Sequence, residues 1–188
     1  VRSRCTRMSD VLVTATELRD ALAAGGFADG GPVRVLDVRW RLDRPDGLPE
    51  YRAGHIPGAQ YVDLDHELAA HGEPTDGRHP LPPVEALQEA ARRWGIDDGD
   101  TVVVYDDLKN LSSARAWWLL RYAGVADVRL LDGSLRAWTD AGFDAETGDA
   151  TPPAPGSVTL AYGALPVLPL DEVAGFADVG HLVGQEDL

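Results

Sequence analysis

Residues 102–120, VVVYDDLKNLSSARAWWLL, decide the fold class of this chain. Val102 to Tyr105 form an apolar run of strand length without polar alternation, the pattern of a strand buried on both faces of a parallel sheet. From Ser112 onward apolar residues recur at helical spacing behind a serine, a residue suited to a helix N-cap. A strand over 101–106 and a helix over 112–124 are therefore expected. The loop between them is Asp106, Asp107, Leu108, Lys109, Asn110, Leu111 and Ser112. Loops of this kind aim backbone N–H groups and a helix N-terminus at one point, which suits an anion or a nucleophile. This loop offers two aspartates.

Working outward, the same grammar repeats. VLVTATELRDALAAGG (11–26) reads as a short strand and a helix capped by Thr14 or Thr16 and stopped by Gly25-Gly26. PVRVLDVRW (32–40) reads as a buried strand, GAQYVDL as a short one, and PPVEALQEAARRWG (82–95) as a helix with proline at its start. VRLLDG is a further strand, and GSLRAWTDAG (133–142) a further helix. Strands alternating with helices predict an α/β fold, a doubly wound parallel sheet with helices on both faces. Ligands of such sheets bind at the carboxyl ends of strands, where Asp106 falls. The expected organisation is an arm over 1–10, a domain over 11–143 and a Pro-, Gly- and Asp-rich linker over 144–166, which after Thr147 packs on the domain as an extended strap or is partly disordered. Residues 167–188 repeat the opening pattern, as the truncated start of a second copy too short to fold.

Charge narrows the partners. Seventeen basic against thirty-one acidic residues give a net charge of −14, which disfavours nucleic acid and anionic membranes. A small anionic substrate would need a strongly local positive site. Arg39, Lys109, Arg115 and Arg121 are the nearest basic candidates, the last two reading first as partly solvated or ion-paired helix residues. No apolar run approaches the ~20 residues of a membrane span. The single cysteine, Cys5, excludes an internal disulfide and fits a reducing cytoplasm. It sits in the amino-terminal arm, outside any strand-loop-helix context that would lower its pKa. Five scattered histidines give no paired zinc spacing, and no phosphate-binding G-x-x-x-x-G-K-[ST] run occurs, so no metal or cofactor is expected. A Mg²⁺ site built from Asp37, Asp106 and Asp107 is the rival chemistry, and it requires those carboxylates to converge. Trp117 and Trp118 are adjacent on one helix, so they face different ways: one into the core, the other toward a further domain.

YRAGHIPGAQYV (51–62) is the most specific stretch. Pro57 fixes φ, Gly58 permits positive φ and Ala59 leaves room for close packing, while His55 reads first as a staple of the turn and second as a ligand or general base. With LDVR before it, the run resembles the rhodanese signature, here Tyr51, His55, Pro57, Gly58 and Ala59. VVVYD, LLDGSLRAWTDAGF and SARAWWLLR extend the resemblance, closest to the amino-terminal half of two-domain thiosulfate and 3-mercaptopyruvate sulfurtransferases. The resemblance implies a rhodanese-like fold and a cysteine after the strand that accepts sulfur as a persulfide. Here that position is Asp106, and a carboxylate cannot be persulfidated. The resemblance thus implies a catalytically silent domain, with Asp106 accepting the loop N–H groups itself and a carboxyl-terminal rhodanese domain, or self-association, as partner. The alternative is a free-standing module that binds an anion or a partner.

Overall fold

The computed structural model describes residues 11–28, 30–73, 75, 77–168 and 172. The expected arm over 1–10, Cys5 included, and nearly all of the expected second-copy segment lie outside them. The chain runs β1 (Leu12–Val13), α1 (Ala15–Ala24), β2 (Val33–Asp37), α2 (Leu48–Ala53), β3 (Gln60–Tyr61), α3 (Leu64–Glu67), α4 (Val84–Arg93), β4 (Thr101–Tyr105), α5 (Ser113–Tyr122), β5 (Asp127–Leu131) and α6 (Ser134–Asp140). The strands form one parallel sheet in the order β1-β5-β4-β2-β3. Helices α2 and α3 were not foreseen, because six and four residues are too few to show a period.

β4 is buried along its whole length, and its side chains alternate between two cores. Val102 and Val104 join Leu36, Leu87 of α4 and Leu119 of α5 on one face. Val103 and Tyr105 join Val35, Leu18 of α1 and Trp138 of α6 on the other. Helices therefore cover both faces, and each fully buried Val or Leu contributes roughly 1.5–3 kcal/mol. Thr14, not Thr16, caps α1. Its side chain accepts the Glu17 N–H, and Glu17 returns a bond to the Thr14 N–H at 2.8 Å.

The strand order places the site. The chain leaves β2 toward β3 on one side and leaves β4 toward β5 on the other. The loops after β2 and β4 diverge, which opens a crevice at the carboxyl ends of the two central strands.

The segment that reads as a linker lies along the domain as an extended strap. His55 and Glu146 exchange backbone hydrogen bonds at 2.9 Å, and Gly148 donates to the Arg52 carbonyl at 2.8 Å. Farther on, Gly156 donates to Arg92 at 2.8 Å, Val158 to Ile96 at 3.2 Å and Ala161 to Ala123 at 3.0 Å. The strap buries Ala150, Val158 and Leu160. It also explains the tryptophan pair. Trp117 donates its indole N–H to the Val128 carbonyl at 2.9 Å. Trp118 stacks on Tyr122, which stacks in turn on Tyr162 of the strap, so the strap takes the place of the further domain expected to meet one of the pair.

Candidate functional site

Asp106 follows β4 directly, is fully buried, and is surrounded by donors. Its Oδ1 accepts the backbone N–H groups of Leu108 at 2.8 Å and Asn110 at 2.9 Å. Its Oδ2 accepts those of Ser112 at 2.8 Å and Ser113 at 3.2 Å. Two hydroxyls lie in reach as well, Ser134 Oγ at 3.2 Å from Oδ1 and Ser113 Oγ at 3.3 Å from Oδ2. Lys109 and Asn110 adopt positive φ, 56° and 63°, which curls the loop until its N–H groups converge. The carboxylate is thus the anion in its own nest, at the amino end of the ten-residue helix α5. It also takes the role expected of Ser112. That residue sits at the N-cap without a side-chain cap bond, because its hydroxyl donates to the Trp40 carbonyl at 3.0 Å.

Across the crevice, a buried polar cluster closes the end of β2. Arg39 grips Asp37 with Nε at 2.9 Å from Oδ1 and Nη2 at 2.8 Å from Oδ2. Its remaining donors reach the carbonyls of Glu50 and Gly54 at 2.6 and 2.5 Å. Burial pushes the Asp37 carboxyl up to about 6, and Arg39 works against that rise. Burial also raises the Tyr105 phenol well above its ordinary value, and its oxygen accepts the Ile56 N–H at 3.0 Å. Asp107 turns outward to Arg41 at 2.7 Å.

The HIPGA turn hangs on this cluster. Gly58 has φ 77°, Ala59 is fully buried, and the Tyr51 hydroxyl donates to the Ala59 carbonyl at 2.7 Å. His55 is fully buried, stacked on the Tyr51 ring at 3.9 Å, with Nδ1 2.9 Å from the Tyr51 carbonyl. A carbonyl only accepts, so the proton belongs on Nδ1. Nε2 then has no bonded partner, with Glu146 Oε2 at 3.7 Å.

The profile of the rhodanese-like domain matches residues 14–141. The chain belongs to the rhodanese family. SseB of Mycobacterium tuberculosis, whose name assigns it to the thiosulfate sulfurtransferases, is 51% identical over 155 residues, covering 82% of this chain and 52% of that protein. Human 3-mercaptopyruvate sulfurtransferase is 36% identical over 145 residues, covering 75% of this chain and 47% of its own length. The crystal structure of SseA from Escherichia coli, a 3-mercaptopyruvate enzyme described by its rhodanese fold, superposes with a TM-score of 0.76 at 29% identity, covering 90% of this chain and 62% of that one. The chain spans about half the length of the curated relatives it matches. This sequence is thus a sulfurtransferase-like rhodanese domain with the parallel α/β sheet of its family.

Within this rhodanese domain, the loop residues 106–112 follow the carboxyl end of β4, and the turn residues 51–59 start beside that end, where Gly54 and Ile56 meet Arg39 and Tyr105, and run back to enter β3 at its amino end. The basic candidates do not converge on the loop. Arg39 is spent on Asp37, and Lys109 is exposed. Arg115 and Arg121, expected to be partly solvated or ion-paired, are half-buried, and their guanidinium groups bond to carbonyls: Arg115 to those of Leu68, His79 and Pro80, Arg121 to those of Val125 and Ala126. Sequence reading missed Arg41, Ser113 and Ser134. The serine after the Asp132-Gly133 turn carried a usable signal, since it follows β5 and so lies on the same sheet edge as Asp106. Among the described residues, no three His, Cys, Asp or Glu side chains converge to hold a metal ion. Asp37, Asp106 and Asp107 are each engaged elsewhere, which removes the basis for the Mg²⁺ reading. No helix among the described residues is long and apolar enough to cross a membrane.

Proposed function

We propose that this rhodanese domain is the non-catalytic half of a two-domain thiosulfate or 3-mercaptopyruvate sulfurtransferase, unable to carry sulfur itself. The observation that carries the reading is the filled nest. Position 106 holds a carboxylate that accepts four backbone N–H groups. A persulfide or thiosulfate at that point would compete with a tethered anion already bonded there, and no sulfur nucleophile stands in the loop. The chain's coverage of about half of its relatives supports the two-domain part of the proposal. The same reading assigns Leu111, 71% exposed beside the loop, to contact with a carboxyl-terminal rhodanese domain. Placement in a reducing compartment belongs to this proposal too and rests on the cysteine count alone.

The purified chain should make no thiocyanate from thiosulfate and cyanide above background. Asp106→Cys should restore a trace at most, because no cation converges on the loop to hold the thiolate and the incoming anion: Arg39 is spent on Asp37 and Arg41 on Asp107. Turnover by the unmodified chain that survives Cys5→Ser would overturn the reading.

A further inference from the structure

Beside the loop, a second concavity of about 420 Å³ opens between the end of β2 and α3, a volume in the range of small-ligand sites. Its apolar side includes Trp40 and Leu42, and Leu42 is a large apolar side chain kept 66% in water. Asp65 is the one acidic side chain on the lining, and both its oxygens are taken. The Trp40 indole N–H donates to one at 3.0 Å, and His79 Nε2 lies 2.8 Å from the other. Asp65 thereby fixes the indole and the imidazole edge to face, with centroids 5.2 Å apart.

With its acid engaged, the rest of the ionisable lining is basic. His66 leans on Asp63 at 3.0 Å, and His71 and Arg78 are exposed at the rim. Arg78 forms no hydrogen bond or ion pair among the described residues. An unspent guanidinium above an apolar wall stands out on a chain of net charge −14. We propose that this cavity binds a small organic monoanion with an apolar body, seated against Trp40 and Leu42 with its charge toward Arg78 and His71. The apolar body supplies transfer free energy, and the guanidinium supplies a charge-assisted hydrogen bond and orientation. The site stands whether or not Asp106 silences the loop.

The test is a two-dimensional NMR titration of the full chain with phenylacetate, with benzyl alcohol and acetate as probes that keep only the apolar body or only the charge. Phenylacetate, carried to about 10 mM to saturate a ~1 mM site, should shift the Trp40 indole N–H and the His79 ring saturably. Arg78→Gln should weaken it about tenfold, the loss of one charge-assisted bond, and each partial probe should bind at least about tenfold more weakly. Arg78 is exposed, so the variant should keep the parent's unfolding transition. Absence of saturable shifts at those two resonances would overturn the proposal. So would shifts that Arg78→Gln leaves unchanged, or acetate binding as well as phenylacetate.

Discussion

Removing the Asp106 carboxylate tests the nest directly. In Asp106→Ala, the backbone N–H groups of Leu108, Ser112 and Ser113 lose their acceptor, and that of Asn110 keeps only Ser134 Oγ at 3.0 Å. Those of Leu108 and Asn110 are only part-buried, so water can replace the carboxylate there at little cost. Those of Ser112 and Ser113 are buried, and each unsatisfied buried donor costs about 1–3 kcal/mol. The two hydroxyls keep an acceptor, because Ser113 Oγ and Ser134 Oγ each lie 3.0 Å from Asn110 Oδ1. Relief of a desolvated charge offsets part of the loss. The expected net destabilisation is therefore about 2–5 kcal/mol, a large fraction of the ~5–15 kcal/mol typical of a domain. Asp106→Asn keeps one acceptor oxygen but turns an NH₂ toward the other pair of donors, so it should fall between alanine and the parent. Urea unfolding followed by tryptophan fluorescence measures both. The emptied nest supplies a second reading: sulfate should stabilise Asp106→Ala more than the parent, beyond the general salting-out both share. A loss below about 1 kcal/mol, with no extra sulfate effect, would refute the claim that the carboxylate organises the loop.

Two further outcomes follow from the surroundings. Asp37, raised to about 6 by burial, binds a proton in the folded chain over a range where the unfolded carboxyl, near its ordinary 3.8, has released it. The folded state then holds more protons, so this group's contribution to stability rises as pH falls from about 6 toward 4. The stability difference between the parent and Asp37→Asn should grow in that direction, and the opposite slope would show that the Arg39 fork outweighs burial. Gly156→Ala would place a Cβ 2.0 Å from the Ile96 carbonyl oxygen, a backbone atom with no rotamer to yield. It should detach the strap at a cost of about 1–3 kcal/mol, seen as faster limited proteolysis between 147 and 163, whereas unchanged cleavage would mean the strap is held elsewhere.

What was legible in the sequence tracks the range over which its causes act. β4 could be read because five consecutive buried side chains report burial on both faces, and α1 because its cap, Glu17 and stopping glycine are local. Asp106 could be placed at a strand end, and its self-capping anticipated, because the donors lie within seven residues. Ser134 of the cage and the Arg41 partner of Asp107 could not, because one arrives from the loop after β5 and the other from the loop after β2, both set by strand order. The strap was legible only as one of two outcomes, an extended strap on the domain or a partly disordered segment. Pro152, Pro153 and Pro155 make the segment read as a linker by composition, yet the same prolines leave few N–H groups to satisfy. The donors that remain at Gly148, Gly156, Val158 and Ala161 each meet a carbonyl of the domain. A proline-rich segment therefore needs only a row of waiting acceptors and a few apolar side chains to lie down as an ordered strap. Those acceptors, the carbonyls of Arg52, Arg92, Ile96 and Ala123, belong to helix ends and loops that come into line only after the sheet has formed.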